Sequence, residues 1–116
     1  MTRMSLLACM FICMVTPAQA LHICRPSFTR QPPDIIGKNY RDARAALLED
    51  HWTPVVKSLS RLPELESCDE RAVVACNFIF QDAAHRYALV VEAEGNAHMV
   101  NMDDLKVTGH HFRCSP

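Results

Sequence analysis

The sequence predicts an α+β domain in which one helix packs on an antiparallel sheet of three or four strands, held by two disulfides. Three observations support this prediction. Residues 39–50 carry apolar side chains at helical spacing, whereas the apolar segments after residue 70 alternate with a period of two. Four cysteines remain once an apparent export signal is removed, and small exported domains commonly pair their cysteines.

The first 20 residues have the features of a secretory signal peptide. Arg3 supplies a positive start, an apolar run covers residues 5–15, and Ala18-Gln19-Ala20 forms an Ala-x-Ala cleavage site. The run is too short to span a bilayer, so we expect no membrane span. Lipoprotein-type cleavage at Cys9 is the alternative, although almost no apolar run would precede that cut. Cleavage after Ala20 predicts one mature domain, residues 21–116, in the periplasm or secreted.

The mature domain is small and close to neutral. Without Arg3 it has eleven basic and thirteen acidic side chains, a formal charge of −2. A chain of this length suits one domain with a thin core. Nucleic-acid binding surfaces are usually strongly basic, so we expect no nucleic-acid partner.

Residues 40–50 are predicted to form the helix, with Asn39 as its N-cap and Asp42 as the partner in a capping box. The apolar positions of this stretch share one face, which should dock on the sheet. These positions are Tyr40, Ala43, Leu47 and Leu48. A helix of about eleven residues is marginal alone in water, so its apolar face needs the strands that follow.

His51 is predicted to end the helix, at a position where glycine or asparagine is usual. Pro54 prevents the helix from continuing, and the large apolar Trp52 precedes it. Residues 52–57 then provide a first strand. Residues 21–38 and 57–70 contain prolines among few periodic positions, and we predict that both are irregular.

Period-two alternation begins after residue 70. Residues 74–81 and 87–93 each alternate with a period of two, the first with an aromatic face at Phe78 and Phe80, and are predicted strands with a turn between them. Gly95 and Asn96 predict another turn, because both accept positive φ. Residues 97–102 form a weaker third strand, and residues 105–108 extend it or begin another.

The four mature cysteines predict two disulfides. Of the three possible pairings we favour a local Cys68–Cys76 bond and a Cys24–Cys114 clasp between the chain ends. The clasp would close a long loop and contribute roughly 4–5 kcal/mol in the chain-entropy account. A zinc site would need close pairs such as Cys-x-x-Cys, which the sequence lacks.

Residues 33–56 resemble the opening of a PASTA domain, the small repeat found on penicillin-binding proteins and their kinases. The motif runs proline, two apolar residues, glycine, a short Ala/Leu helix and a strand. Here Pro33-Asp-Ile-Ile-Gly-Lys38 is followed by Ala43-Arg-Ala-Ala-Leu47 and then Val55. The resemblance covers about 25 residues and implies a module that touches peptidoglycan.

The chain also resembles small uncharacterised cysteine-containing periplasmic proteins of Gram-negative bacteria. These share a Gly-x-x-Tyr-x-x-Ala-Arg helix, then Gly-Trp-x-Pro, and later Pro-Glu-Leu-Glu-x-Cys. The helix motif fits residues 37–44, His51 replaces the glycine before Trp52, and Pro63-Glu-Leu-Glu-Ser-Cys68 matches the last motif. This resemblance implies a periplasmic location but no activity.

Six histidines are more than this length leads us to expect, and all lie in the mature part. Some could approach one metal ion, but adjacent histidines on an extended chain point to opposite faces. No His-x-x-x-His or His-x-His spacing exists. We therefore interpret the histidines as surface residues and expect no metal and no cofactor. The candidate binding surface consists of Trp52, His51, His110 and His111, although Trp52, Phe78 and Phe80 are more typical of a core.

The residues for catalysis are missing. The cysteines are expected to be oxidised, no mature serine lies in a Gly-x-Ser-x-Gly elbow, and three glycines provide no phosphate loop. Glu92 and Glu94 share one strand face, as acid–base chemistry could use, but a solvated strand end is the interpretation that we favour. The sequence therefore predicts a protein that is not an enzyme.

We expect a non-enzymatic exported interaction module that binds an unknown protein or a cell-envelope ligand. Periplasmic inhibitor and immunity proteins are similar in size and in their use of disulfides, and this analogy favours a protein partner. The alternative is a PASTA-like module that binds peptidoglycan. An exposed loop with aromatic or charged protrusions would favour the protein partner, whereas a shallow polar groove beside the helix would favour the glycan.

Overall fold

The structure is a computed structural model that describes residues 30–71, 73–82, 87–96, 98 and 101–114. The predicted signal peptide, its cleavage site after Ala20, and the cysteines Cys9 and Cys24 lie outside these residues. Helix α1 (Tyr40–Glu49) packs on one antiparallel sheet, which confirms the α+β class. Among the described residues, no helix has the length and apolar character needed to cross a membrane.

The sheet has five strands and not the three or four that we predicted. The strands are β1 (Thr53–Pro54), β2 (Leu65–Glu70), β3 (Val73–Gln81), β4 (Ala88–Asn96) and β5 (Lys106–Arg113). β4 pairs with the whole length of one edge of β3, and β1 and β2 follow one another along its other edge. β5 pairs with the outer edge of β4. The extra strand is β2, which lies in the stretch predicted to be irregular.

Pairing between neighbouring strands moves several of the predicted boundaries. The turn predicted at Gly95 and Asn96 belongs to β4, because these residues pair with Val74 and Val73 of β3. The weak strand predicted at 97–102 lies partly outside the described residues, and Met102–Asp104 is a 3-10 turn. The first strand is shorter than predicted, because only two of its residues pair with β3.

Helix α1 begins and ends close to the predicted residues. Asn39 is its N-cap but makes no side-chain capping bond, so the predicted capping box is wrong. The Tyr40 N–H instead donates to the carbonyl of Leu105 at 2.7 Å, which ties the start of α1 to the residue before β5. His51 follows the helix in the left-handed region at φ 67°, the conformation that glycine or asparagine usually supplies there.

The main core lies between α1 and the sheet. The Tyr40 ring stacks on Phe78 with centroids 3.8 Å apart and an interplanar angle of 18°. Tyr40, Ala43 and Leu47 are fully buried, whereas Leu48 is 39% exposed, so the docking face is narrower than predicted. The sheet side of this core consists of Cys76, Phe78, Phe80, Leu89, Val91, Ala93 and Val107.

The opposite face of the sheet also carries fully buried apolar residues, Ile79, Ala88 and Val90, with Val55 packed against them.

A bidentate ion pair joins Arg113 of β5 to Glu66 of β2, with N–O distances of 2.7 and 2.9 Å. Because β3 and β4 separate these two strands, the paired side chains must pass over the central strands. The ion pair therefore links the two edges of the sheet.

One of the two predicted disulfides is confirmed. Cys68 and Cys76 are bonded to each other and face one another in the β2–β3 pair. The predicted Cys24–Cys114 clasp is not matched, because Cys114 is an exposed free cysteine. Cys114 directly follows β5, whose pairing with β4 extends to Arg113. Backbone hydrogen bonds therefore hold the C-terminal arm that the clasp was expected to fix.

Candidate functional site

The four residues of the predicted binding surface lie in different environments. Trp52 is in the core and only 2% exposed, so its ring is not available to a partner. His51 is exposed in the turn after α1. His110 and His111 are consecutive in β5 and point to opposite faces, with Val91 and Val90 as their cross-strand neighbours. The structure does not bring these four side chains together, and binding through the histidines stays a prediction.

Trp52 already has a cationic neighbour within the chain. The guanidinium of Arg30 lies 4.4 Å from the ring centroid and donates to both the carbonyl and the carboxylate of Asp50 at 2.9 Å. The backbone N–H of Arg30 donates to the Tyr87 hydroxyl. Cation–π and charged contacts of this kind are individually modest. Together they hold the segment that precedes α1 against the end of the helix.

Of the two acidic side chains considered for catalysis, one contacts a histidine and the other is exposed to water. Glu92 lies 2.7 Å from Nδ1 of His111, while Glu94 is exposed. Two further acidic residues that are adjacent in sequence are also paired, Asp103 with Arg61 at 3.1 Å and Asp104 with Arg41 at 3.0 Å. In the part of the chain that the structure describes, no cluster of His, Cys, Asp and Glu could hold a metal ion.

The surface feature that sequence reasoning missed is the loop between β1 and β2, residues 55–63, which we call the 55–63 loop. Leu59 is fully exposed at 103%, and Val56 is 73% exposed. Burying a leucine side chain is worth about 1.5–3 kcal/mol, and this loop leaves that free energy available to a partner. Val56 and Leu59 are the exposed large aliphatic residues of this loop, whereas Leu62 is buried.

The 55–63 loop is closed at its base by one residue of β3. The Val55 N–H donates to the Ile79 carbonyl at 3.0 Å, and the Ile79 N–H donates to the Glu64 carbonyl at 2.9 Å. Inside the loop, the N–H groups of Lys57 and Ser58 both donate to the Pro63 carbonyl, at 2.8 and 3.1 Å. The ascending and descending halves of the loop are therefore hydrogen-bonded to each other.

The serine hydroxyls of the loop also point inward. Ser58 Oγ and Ser60 Oγ are 2.9 Å apart, and the Ser60 hydroxyl donates to the Leu62 carbonyl at 2.7 Å. Leu62 itself is buried in the main core. The serine hydroxyls on both sides of the tip are thus engaged with the loop, while the Leu59 side chain is exposed to solvent.

A buried ionic cluster fixes the residue that follows the loop. Glu64 is completely buried and accepts hydrogen bonds from the Tyr40 hydroxyl and from Nε of Arg44, both at 2.6 Å. Burial, together with the Glu64 acceptor, raises the pKa of Tyr40 far above its ordinary value. The hydrogen bond to Glu64 also raises the pKa of Arg44. A buried carboxylate is tolerated only when it is paired in this way, so α1 and the loop are held together.

A groove of about 250 Å³ lies beside the tip of the loop, lined by Ser60, Arg61, Leu62, Asn101 and Met102. The Arg61 side chain is 66% exposed, although Asp103 binds its guanidinium. The loop thus presents an aliphatic protrusion at Leu59 and a charged one at Arg61. We had expected aromatic or charged protrusions to favour a protein partner, and the charged type is present.

A second, open groove of about 470 Å³ runs along α1. It is lined by Gln31, Pro32, Pro33, Ala46, Glu49 and Asp50. Half of these residues are polar, and the groove is the described feature that comes nearest to the shallow polar groove that would favour a glycan. The described part of the chain therefore contains a loop with a charged protrusion, the feature expected for a protein partner. It also contains a groove beside the helix, the feature expected for a glycan.

The 55–63 loop had only a weak signal in the sequence. Pro54 and Pro63 bracket it, and Ser58-Leu59-Ser60 interrupts any periodic pattern, but neither feature shows which side chain is exposed. Comparison with known proteins gives no help with the site, because the chain matches no family model, no curated protein and no solved structure.

Proposed function

We propose that the chain is a non-enzymatic exported binding module that acts on another protein of the cell envelope, in the manner of inhibitor and immunity proteins. The observation that carries this proposal is the exposure of Leu59 on a loop in which the N–H groups of Lys57 and Ser58 and the Ser60 hydroxyl are hydrogen-bonded inward. A loop ordered before binding loses less conformational entropy when a partner arrives. An apolar residue presented in this way is a suitable anchor for a protein interface.

Export is supported by the chemistry of the cysteines together with the predicted signal peptide. The Cys68–Cys76 disulfide is of a kind that persists in oxidising compartments such as the periplasm or the cell exterior. The absence of catalysis is proposed from the sequence, which lacks a nucleophile elbow and a phosphate loop.

The test is affinity capture from a periplasmic extract with three immobilised forms of the mature protein. These are the wild type, Leu59→Asp, and Val73→Asp as the matched control. Val73 is also an exposed aliphatic residue, at 53%, and lies about 20 Å along β3 from Ile79 at the base of the loop. We expect one protein that the wild type and Val73→Asp retain and Leu59→Asp loses. Equal capture by all three forms, or no capture, would contradict the proposal.

A peptidoglycan-binding module is the second candidate function, and the groove along α1 favours it. Gln31 and Glu49 supply polar groups there, and Pro33 belongs to the PASTA-like motif. Cosedimentation with purified peptidoglycan tests this candidate. It predicts that Gln31→Ala with Glu49→Ala weakens binding while Leu59→Asp leaves it unchanged. If Leu59→Asp weakens binding to peptidoglycan and the Gln31→Ala, Glu49→Ala variant does not, the binding belongs to the 55–63 loop.

A further inference from the structure

We propose that Trp52 and Asp50 form a binding site for an arginine side chain of another protein, and that the chain's own Arg30 occupies this site in the free molecule. Arg30 is therefore an internal competitor that an incoming arginine displaces. We call Trp52 and Asp50 together the arginine site. It lies at the C-terminal end of α1, so it does not depend on the 55–63 loop.

The Arg30 guanidinium contacts an aromatic face and two acceptors at once. Its central carbon lies 4.4 Å from the Trp52 ring centroid, and Nη1 donates to both the carbonyl and Oδ2 of Asp50 at 2.9 Å. The Trp52 indole N–H donates to the same Oδ2 at 3.2 Å, which holds the carboxylate beside the ring. A planar guanidinium can stack on a ring while its N–H groups reach acceptors at the edge, whereas a lysine ammonium cannot stack. The geometry therefore favours arginine.

The end of α1 attracts a cation that the helix itself does not supply. Asp50 is the C-cap, and the last turn of α1 contains no basic residue. The carbonyl groups at a helix C-terminus carry partial negative charge, and the side chains of Glu49 and Asp50 add two carboxylates. A cation is therefore stabilised at this position whichever chain it comes from.

Both residues of the arginine site are held by α1 and not by Arg30. The Asp50 N–H donates to the Ala46 carbonyl at 3.1 Å, and the Trp52 N–H donates to the Leu47 carbonyl at 2.9 Å. The site should therefore keep its shape when Arg30 is absent. Trp52 is only 2% exposed with Arg30 in place, so another molecule reaches its ring only after Arg30 has moved away.

The segment that carries Arg30 has few other attachments. Among the described residues, no backbone hydrogen bond joins residues 31–34 to the rest of the chain, and the fully buried Ile35 is the next anchor. Pro32-Pro33 has no N–H to donate. Arg30 adds the bond from its own N–H to the Tyr87 hydroxyl, and its side chain is 39% exposed. Displacing Arg30 therefore breaks only a small number of partly exposed contacts.

The groove along α1 gives an arriving chain room beside the arginine site. It measures about 470 Å³ and shares Asp50 with the site, and the exposed Glu49 adds a second negative charge to its wall. A peptide segment in this groove can place an arginine over Trp52 while its backbone stays outside the core. The partner is therefore a protein that presents an arginine on an exposed segment.

The test titrates N-acetyl-arginine amide and follows the fluorescence of Trp52, the only tryptophan of the chain. Arg30→Ala removes the internal competitor, and we expect a saturable change in this variant. The wild type should reach the same end point at an about tenfold or higher concentration, because Arg30 competes. Arg30→Ala combined with Asp50→Asn should lose the response. N-acetyl-lysine amide should bind Arg30→Ala about tenfold more weakly than the arginine compound.

Arg41→Ala is the matched control. It removes another exposed arginine that pairs with an aspartate, Asp104, but it leaves Arg30 over Trp52. This variant should respond as the wild type does. Free arginine is the second ligand, because it separates an amino-acid ligand from an arginine within a protein chain. Tighter binding of free arginine than of the capped form to Arg30→Ala would overturn the protein source.

Three results would overturn the arginine site itself. They are no saturable response in Arg30→Ala, an equal response when Asp50→Asn is added, and equal binding of the lysine and arginine compounds. Equal affinity of the wild type and Arg30→Ala would overturn the competition by Arg30. Thermal unfolding checks that each variant is folded. If Arg30→Ala is not, Arg30→Met takes its place, because it keeps the stem of the side chain and removes the charge.

Discussion

The hydroxyl of Tyr40 donates a 2.6 Å hydrogen bond to Oε2 of Glu64, the oxygen that also accepts from Nε of Arg44. Tyr40 is the first residue of α1, and Glu64 is the residue that follows the 55–63 loop. The bond therefore joins the helix to the base of the candidate binding loop. Since the carboxylate is completely buried, both of its donors are needed to offset the loss of water.

Replacing Tyr40 with phenylalanine tests the energetic role of that bond. The ring can still stack on Phe78, but Glu64 loses one donor while it stays buried. We expect the free energy of unfolding, measured by urea denaturation, to fall by about 1–3 kcal/mol. Tyr87→Phe is the matched control, because its hydroxyl contacts the backbone N–H of the partly exposed Arg30. An equal loss for both variants would contradict the special role of Glu64.

The titration of Tyr40 provides a test at alkaline pH. Burial, and then the Glu64 acceptor, raise the pKa of Tyr40 above the ordinary value of about 10. The folded state therefore holds this proton more tightly than the unfolded state, so stability is complete below pH of about 10 and falls as the pH rises further. Tyr87→Phe leaves Tyr40 as the only tyrosine. We expect tyrosinate absorbance in that variant to appear together with unfolding. Ionisation near the ordinary pKa in a folded protein would refute the burial of this hydroxyl.

The Glu66–Arg113 pair predicts sensitivity to acid. The hydrogen bond from Arg113 lowers the pKa of Glu66, and Lys57 adds a smaller effect in the same direction. The stability that the pair provides is therefore present above the ordinary glutamate pKa of about 4.3 and is lost as the pH falls through the lowered value. Both side chains are partly exposed, so we expect about 1 kcal/mol or less.

The measurement compares wild type with Glu66→Gln by urea denaturation at about pH 7 and about pH 3. The difference between the two proteins should be present at the higher pH and largely absent at the lower one. Asp69→Asn is a control on the same strand, because the Arg71 side chain with which Asp69 pairs is highly exposed. A difference for Glu66→Gln that persists unchanged in acid would show that the ion pair is not its source.

The sequence predicted that a Cys24–Cys114 clasp contributes most to stability, and the structure predicts instead that the Cys68–Cys76 bond does. Replacing Cys68 and Cys76 together with serine should lower the free energy of unfolding by about 2–3 kcal/mol, the value expected for closure of a short loop. Cys114→Ser should have no measurable effect, because Cys114 is free and exposed. Alkylation of the folded protein followed by non-reducing peptide mapping is the direct check. A peptide that links Cys24 to Cys114 would restore the end-to-end clasp.

The sequence was sufficient for α1 and the fold class because the apolar period of residues 40–47 and the alternation in β3 are strong. It was insufficient for β2, since Leu65–Glu70 has no alternating apolar pattern and is defined by pairing with β3. The end of β4 was misjudged because strand pairing outweighs the turn preference of Gly95 and Asn96.

The candidate site was harder to predict than the fold. The conformation that exposes Leu59 depends on hydrogen bonds between residues that are far apart in the sequence. One example is the bond from the Ile79 N–H to the Glu64 carbonyl. Tyr40 was placed correctly on the docking face of α1, whereas Trp52 was assigned to the candidate binding surface and lies in the core. The partners of their polar atoms, Glu64 and Asp50, carry no local signal in the sequence. Apolar periodicity therefore predicts burial better than it predicts which residue protrudes.

The central claim is that the 55–63 loop has one conformation before any partner binds, and amide hydrogen exchange of the free protein tests it most directly. The N–H groups of Lys57 and Ser58 donate to the Pro63 carbonyl, while those of Leu59 and Ser60 have no backbone acceptor among the described residues. The account predicts that Lys57 and Ser58 exchange about tenfold or more slowly than Leu59 and Ser60. Exchange of all four amides at the rate of an unstructured peptide would contradict it.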